Sequence, residues 1–520
     1  MPGKPRRLRH WFWSAIVLVA VSGTWLSANA QTVTPEQVSA ALPALDAMAQ
    51  DVVSSGAVPG LAIAVVSHDK VVFLKGYGLR EAGRPETVDA DTVFQLASLS
   101  KPISSSVVAA LVTAGVVRWD SRISDLDPGF RLFDAYPTEQ VTVRDLFAHR
   151  SGLPGSAGDD LETIGFDRKT IAYRLRLVPP SSSFRAGYSY SNFGLTEGAV
   201  AAARPTGKDW ETVAEDFLYR PLGMTMTSSR YSDFVARTDR AALHIKVNGA
   251  WAAKLQRDPD AQSPAGGVSS SVRDLAQWVR LELGDGMFDG TRLISSDAIG
   301  ETHQPLVARG NNLVTGAASF YALGWNVEYG RHGLSWGHAG AFSLGARTLV
   351  TLYPQADFGI VVLTNAFPTG VPEGIADSFA DLVFDGHVAK DWFKPWDAAF
   401  ESILGQGVAA ALARYGTPPA SASPAMPEAA YVGRYNNAYV GDAVVSDVQG
   451  TLVLHVGPNG ARTYPLRHFD RDTFVYFPDE ETPEVPAAAR FTIGPDGRAT
   501  NVTLEPLDQN GLGTLARAKD

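Results

Sequence analysis

Two residues spaced by three, Ser98 and Lys101, could form a nucleophile and its base. If Ser98 opens the helix predicted after it, Lys101 lies one turn later on the same face. A lysine accepts a hydroxyl proton only when its pKa falls towards about 7–8, as burial can cause. The start of a helix also offers free N–H groups to a negatively charged oxygen. The pair therefore predicts covalent catalysis through Ser98.

A second pair of polar side chains, Tyr190 and Asn192, follows further along the chain. A tyrosine hydroxyl beside a lysine ammonium can move a proton between a nucleophile and a leaving group. An asparagine amide can hold that lysine and also bind a substrate carbonyl. These two residues are therefore candidates for proton relay and for substrate binding.

The third candidate segment is His338-Ala339-Gly340, which opens a predicted strand. Glycine in a strand lets a ligand approach the backbone closely. A strand with a free edge can also hydrogen-bond to a peptide-like substrate. This segment is therefore predicted to line the substrate.

Each of the three patterns also occurs elsewhere in the chain. Residues 67–70 repeat the serine–lysine spacing, residues 435–437 the tyrosine–asparagine spacing, and residues 455–457 the histidine–glycine spacing. These copies do not share one order within one predicted domain. Ser98, Tyr190 and His338 follow one another within one predicted domain, at separations of 92 and 148 residues. Their joint order therefore indicates that they belong to one site.

Longer stretches around these residues carry a family resemblance. They are FQLASLSKP at 94–102, TVRDLFAHRSGLP at 142–154, PAGGVSSSVRDLA at 264–276 and GHAG at 337–340. The sequence resembles the serine β-lactamase and penicillin-binding-protein superfamily. It is most similar to the branch that holds class C β-lactamases, DD-carboxypeptidases, D-aminopeptidases and esterases. The resemblance covers about residues 35–390.

This resemblance implies an α/β (α+β sandwich) fold, with an antiparallel central sheet and an all-helical lobe. It implies that Ser98 is the acylated nucleophile and that Lys101 accepts its proton. Tyr190 would relay protons to the leaving group and later activate water. A serine hydrolase that works through a covalent acyl-enzyme is therefore expected.

The resemblance also assigns substrate binding to Asn192, His338 and Gly340. The backbone N–H groups of Ser98 and Ala341 would form the oxyanion hole, where one donor is worth about 3 kcal/mol of barrier. One position departs from the β-lactamases of this branch, which have a lysine where this chain has His338. Histidine is a weaker, pH-dependent partner for a substrate carboxylate. Efficient β-lactam hydrolysis is therefore not expected.

The favoured activity is that of a peptidase or amidase on small peptides or on substrates with D-amino acids. The alternatives are a carboxylic-ester hydrolase, a weak β-lactamase, and a penicillin-binding sensor that is acylated without turnover.

A different nucleophile is offered by Ser335, because residues 333–337 match G-x-S-x-G. In other hydrolases this pattern forms a sharp turn, the nucleophile elbow, which is followed directly by a helix. This sequence predicts a strand there instead.

No metal or other cofactor is predicted. The ten histidines include no HExxH pair. The chain has no cysteine, which excludes a thiol nucleophile, disulfides and cysteine-ligated metals.

The sequence predicts the elements that must position these residues. Helices are expected over 34–56, 103–117, 142–148 and 273–283 and near 371–384 and 396–414; strands are expected within 61–75 and at 348–353 and 359–363. Strands at both ends with helices between them indicate an α/β sandwich rather than βαβ repeats.

A Pro/Ala/Ser-rich linker at 417–424 separates a C-terminal region of short strands and regular turns. Such a pattern predicts a small all-β barrel or sandwich. The expected domains are a hydrolase domain at 31–395, a helix and linker at 396–427, and a C-terminal β domain at 428–520.

The first 30 residues predict a signal peptide, with a basic start, an apolar run at 11–21 and small residues at 28–30. The alternative is a membrane anchor, although the run is shorter than the roughly 20 residues that a span needs. Cleavage would leave a periplasmic or secreted chain with no membrane span and a net charge of −14 instead of −10. The acidic balance argues against nucleic acid, so the expected partner is a small molecule or peptide.

Overall fold

The computed structural model describes residues 33–478 and 485–519, so the predicted signal peptide lies outside the described residues. The longer helices are α1 (Pro35–Ser54), α2 (Ser100–Thr113), α3 (Asn192–Ala203), α4 (Val272–Leu283), α5 (Val371–Asp385) and α6 (Phe393–Tyr415). Shorter helices are Ile123–Leu126, Ala135–Gln140, Val143–Phe147, Asp159–Thr163, Arg168–Arg174, Trp210–Ala214, Tyr231–Ala236, Ser263–Gly266 and Ser296–Gly300.

The central sheet of the first domain has eight antiparallel strands. They are β1 (Gly60–Ser67), β2 (Lys70–Gly78), β3 (Val307–Asn311), β4 (Ala318–Tyr321), β5 (Asn326–Gly330), β6 (Gly333–Phe342), β7 (Ala346–Tyr353) and β8 (Phe358–Thr364). Their order across the sheet is β2-β1-β8-β7-β6-β5-β4-β3. Short two-stranded ribbons join Phe94–Gln95 to Ser269–Ser270, Ile245–Val247 to Ala250–Ala252, and Met287–Phe288 to Thr291–Arg292.

Helices cover both faces of this sheet. On one face α1 and α5 bury an apolar layer against β1 and β8, with Leu45 and Phe379 fully buried in it. On the other face α4 packs against the same strands, and the helical lobe with α2 and α3 extends the larger core. The predicted α/β sandwich with an antiparallel sheet is confirmed.

Local signals explain where α1 and α2 begin and end. Thr34 caps α1 in a capping box, as Thr-Pro at its start predicts. The second helix begins at Ser100 rather than Ile103, and it ends near Thr113 rather than at 117. Its early end follows from Gly115, whose φ of +71° is a left-handed conformation that closes helices.

The C-terminal region forms a nine-stranded antiparallel sheet. Its strands are β9 (Gly433–Asn437), β10 (Gly441–Val448), β11 (Thr451–Val456), β12 (Arg462–Pro465), β13 (Arg467–Asp470), β14 (Thr473–Tyr476), β15 (Ala487–Ile493), β16 (Ala499–Leu504) and β17 (Thr514–Arg517). The order is β12-β11-β10-β9-β17-β16-β15-β14-β13. This agrees with the predicted all-β C-terminal architecture.

The two sheets belong to domains that touch through polar contacts. The Tyr439 hydroxyl donates to Asp160 at 2.6 Å, and the Arg174 guanidinium donates to the Tyr439 carbonyl at 2.7 Å. Within residues 33–478 and 485–519, no helix combines the length and the apolar character that crossing a bilayer requires.

Candidate active site

The candidate nucleophile, Ser98, lies in a single 3₁₀ turn, Ala97–Leu99, directly before α2. Ala97 has a φ of +49°, a conformation that residues other than glycine rarely adopt and that is often found at functional sites. The Ser100 hydroxyl pins the turn, since it donates to the Ala97 carbonyl at 2.6 Å and accepts the Val268 N–H at 2.9 Å. The turn therefore presents Ser98 from a fixed support.

Lys101 is fully buried beneath Ser98. Its ammonium nitrogen lies 3.0 Å from the Ser98 hydroxyl, 2.8 Å from the Asn192 amide oxygen and 2.9 Å from the Ala265 carbonyl. Three acceptors match the three donors of an ammonium group. Burial lowers the pKa of Lys101 to about 7, against the opposing effect of the Asp159 charge. A substantial fraction of Lys101 is therefore a neutral base near pH 7.

The Tyr190 phenol completes this group. The Lys101 nitrogen sits 4.5 Å from the centre of the Tyr190 ring. Burial raises the pKa of Tyr190, while a hydrogen bond with Ser98 lowers it by less, so the phenol is neutral at pH 7. A neutral phenol between the serine and the lysine can pass on a proton. The structure thus brings together Ser98 and Lys101 with Tyr190 and Asn192, from two segments about 90 residues apart in the sequence.

His338 is also buried here, but its ring is occupied by protein contacts. Its Nδ1 lies 2.7 Å from the Ala339 carbonyl, which can only accept, so Nδ1 carries the proton. Its Nε2 lies 3.0 Å from the Tyr321 hydroxyl and accepts from it. Burial holds the pKa of His338 well below its usual range. The ring is therefore neutral and holds Tyr321, and it offers no positive charge to a carboxylate.

Gly340 lies where β6 passes the nucleophile turn. A Cβ at this position would collide with the Leu96 carbonyl and lie 2.5 Å from the Thr348 hydroxyl and 2.9 Å from the Leu99 nitrogen. The Thr348 hydroxyl also donates to the Leu96 carbonyl at 2.7 Å. Only glycine allows the strand to approach this closely, which places the next residue, Ala341, at the cleft beside Ser98.

The cleft beside Ser98 has a volume of about 560 Å³ and contains residues of both domains. Ser98, Asp159, Asn192 and Ala341 line it from the first domain, and Arg462, Tyr464 and Pro478 line it from the second. The C-terminal domain therefore forms part of the wall that a substrate would meet.

Three residues near the site were not predicted from sequence as functional. Asp159 accepts from the Asn192 amide at 2.9 Å, and its other carboxylate oxygen is buried without a hydrogen-bond partner among the described residues. The His149 ring lies 4.5 Å from Tyr190, and the exposed Arg309 lies 5.2 Å from the centre of the Tyr188 ring. Asp159 and Arg309 lie outside the stretches that carry the family resemblance, and His149 lies within the stretch at 142–154 without a predicted role, so only their position in space reveals them.

The competing sites do not assemble. Ser335 lies inside strand β6, and another strand, not a helix, follows it, so no nucleophile elbow exists there. Among the described residues, His332, Asp381 and Asp385 are close enough to share a metal ion. Arg331 already forms ion pairs with both carboxylates, and none of these residues lines the cleft beside Ser98.

Comparison with known proteins decides the family. The profile of the Beta-lactamase family matches residues 45–383. The chain belongs to the beta-lactamase family. A second profile, a domain of unknown function (DUF3471), matches residues 417–513, which include every strand of the C-terminal sheet except β17, the strand that begins at Thr514. The family predicted from the three motifs is confirmed.

This beta-lactamase-family chain has relatives with hydrolase and penicillin-binding names. It is 26% identical over 474 residues to an unguisins hydrolase of Aspergillus campestris, covering 86% of each chain. It is 28% identical over 348 residues to penicillin-binding protein 4 of Amycolatopsis lactamdurans, covering 63% of this chain and 84% of that one. These similarities place the chain in the serine hydrolase superfamily.

Solved structures share the fold. The octameric penicillin-binding protein homologue from Pyrococcus abyssi superposes with a TM-score of 0.57 at 18% identity, over 89% of this chain and 98% of that one. SurE superposes with a TM-score of 0.54 at 22% identity, over 92% of this chain and 99% of that one.

Proposed function

We propose that this protein is a serine hydrolase that cleaves amide bonds in small peptides or in substrates with D-amino acids, through an acyl-enzyme on Ser98. The observation that carries the proposal is the buried Lys101, whose nitrogen bridges Ser98 and Asn192 and whose pKa of about 7 suits a general base. A surface lysine would be charged at neutral pH and could not take the proton.

The geometry supports the following sequence of steps. Neutral Lys101 takes the Ser98 proton while the serine oxygen bonds to the substrate carbonyl carbon. The N–H groups of Ser98 and Ala341 stabilise the oxyanion. Tyr190 donates its proton to the leaving nitrogen as the C–N bond breaks, and it regains a proton from Lys101. A water molecule then gives up a proton through Tyr190 to Lys101 and attacks the ester carbonyl. As the ester C–O bond breaks, Lys101 returns a proton to the Ser98 oxygen, which restores the free enzyme.

A free strand edge supports a peptide-like substrate. Strand β7 pairs with β6 from Trp336 to Phe342, but β5 pairs with β6 only from Gly333 to Gly337. The last five residues of β6 therefore have no strand partner on the β5 side within the described part of the chain. This edge ends beside Ser98, and an extended peptide could add to it through main-chain hydrogen bonds.

The neutral His338 supports an amidase over a β-lactamase. The lysine of related β-lactamases is absent, and burial removes the positive charge that histidine could have supplied. One similar solved structure, that of SurE with D-Leu, holds a D-amino acid, which supports a substrate that contains D-amino acids. We also propose that residues 1–30 direct export and that the protein acts in the periplasm or outside the cell.

A substrate panel tests the proposal. Purified mature protein would be assayed with D-amino-acid p-nitroanilides, p-nitrophenyl esters and nitrocefin. We expect turnover of an anilide, its loss in Ser98→Ala, and its retention in the matched control Ser335→Ala. Fast turnover of nitrocefin alone, or activity that survives Ser98→Ala, would overturn the proposal. Acylation without turnover of any substrate would identify a sensor instead.

A further inference from the structure

The side chain of Asn192 has one orientation that serves Lys101, and a buried carboxylate selects it. The Asn192 amide nitrogen donates to Asp159 at 2.9 Å, which turns the amide oxygen towards Lys101 at 2.8 Å. An ionised carboxylate can only accept, so it fixes which end of the amide faces the ammonium. Without this acceptor the amide could rotate and present its NH₂ group to Lys101.

Asp159 belongs to a short helix, Asp159–Thr163, that the C-terminal domain holds. The neighbouring Asp160 accepts a hydrogen bond from the buried Tyr439 at 2.6 Å. Arg174 fixes the Tyr439 backbone by donating to the carbonyls of Tyr439 and Val440 at 2.7 and 3.1 Å. Past the helix, the backbone at Gly457 lies so close to the Ile164 carbonyl that a Cβ would collide.

We propose that Asp159 is a positioning residue of the Ser98 site, which holds Asn192 against Lys101, and that the C-terminal domain keeps Asp159 in place through Tyr439. The inference rests on the proposed function, because it concerns the general base of that reaction. It gives the appended domain a role in catalysis in addition to its place in the cleft wall.

The electrostatics agree with this role. Burial raises the pKa of Asp159 to about 7, with a further rise from Glu162, against the Asn192 hydrogen bond and the Lys101 charge. In return, the Asp159 charge raises the pKa of Lys101 against burial. The pair also acts on its titratable neighbours: the Lys101 charge lowers the pKa of His149 and His338, and the Asp159 charge raises the pKa of Tyr190 and Tyr439. Removing the charge of Asp159 therefore lowers the pKa of Lys101.

The first experiment follows the pH dependence of Ser98 acylation by a fluorophosphonate probe in the full mature chain. Asp159→Asn keeps a hydrogen-bond acceptor but removes the charge, which should lower the pKa of Lys101. The rise of the acylation rate on the acid side of its pH profile, the acid limb, should therefore move to lower pH. Asp159→Ala also frees the amide, and we expect its maximal rate to fall by about tenfold or more. A merely structural residue would not move the acid limb in the conservative variant.

The second experiment tests the domain contact with a matched pair of variants. Tyr439→Phe removes the bond to Asp160, whereas Tyr431→Phe removes a similar 2.7 Å bond to Asp472 inside the C-terminal domain. We expect faster hydrogen exchange in Asp159–Thr163 and slower acylation in Tyr439→Phe alone. Faster exchange in Tyr439→Phe with an unchanged acylation rate would refute the role of the domain.

The outcomes separate this inference from the proposed function. Labelling that persists in Ser98→Ala would overturn both. Labelling that requires Ser98 but has the same acid limb in Asp159→Asn and the wild type would overturn the role of Asp159 and leave the proposed function standing.

Discussion

Replacing Gly340 by alanine should disable the site without removing any polar group. The added Cβ would overlap the Leu96 carbonyl and lie 2.5 Å from the Thr348 hydroxyl and 2.9 Å from the Leu99 nitrogen. Ordinary carbon contacts are about 3.5–4.0 Å, so β6 and the nucleophile turn must separate by roughly 1 Å. Two of the three atoms belong to the backbone, which cannot move aside as a flexible side chain can.

That displacement would carry the Ala341 N–H away from the carbonyl that Ser98 is proposed to attack. A misplacement of about 1 Å can cost about 10²-fold in rate, and overpacking costs about 1–3 kcal/mol of stability. We therefore expect Gly340→Ala to reduce the rate of Ser98 acylation by about 10²-fold while the chain remains folded.

The assay combines stopped-flow acylation by a p-nitrophenyl ester with thermal unfolding. Gly330→Ala is the matched control, since its Cβ would meet only the Ala317 side chain, at an ordinary 3.4 Å. This control should acylate at the wild-type rate. A fully active Gly340→Ala variant would show that the strand does not need to approach the turn so closely, and the assignment of Ala341 to the oxyanion hole would fail.

Three further predictions follow from the charges and protons of the first domain. The acylation rate should rise with pH through about 7, as Lys101 loses its proton; a rate independent of pH between 5 and 9 would contradict this. Tyr190→Phe should keep its ring near Lys101 but lower kcat by about 10²–10⁴-fold, measured on an anilide substrate. Asp145→Asn should destabilise the fold by about 3–5 kcal/mol in urea unfolding at pH 7, because Asp145 is fully buried and ion-paired with Arg150 and Arg185. Burial raises the pKa of Asp145, but its hydrogen bonds lower it more, so this difference should shrink only as the pH falls below about 4.

The sequence predicted the parts of the site that belong to continuous motifs. The contact predicted from the spacing of Ser98 and Lys101 forms although the helix begins at Ser100, because the preceding 3₁₀ turn keeps the two residues on one side. The order of the motifs indicated one site, and the structure brings Tyr190 and Asn192 to that lysine. Long apolar strands such as β8 were also predicted closely, since their burial is nearly continuous.

The sequence could not predict contacts made by residues outside the motifs. Asp159 reaches Asn192 only through the packing of a five-residue helix, which shows no periodic pattern. The neutral state of His338 depends on the Tyr321 hydroxyl and on burial, both of which arise from the folded sheet. Arg462 and Tyr464 line the cleft because of the way the two domains dock. The linker sequence does not specify this docking.

Catalysis by Ser98 requires that this residue is the one that becomes acylated. The mature protein would be incubated with a fluorophosphonate probe, digested, and its labelled peptide identified by mass spectrometry. Catalysis by Ser98 predicts one probe on the peptide that contains Ser98 and none in Ser98→Ala. A probe on Ser335, or labelling that persists in Ser98→Ala, would contradict it.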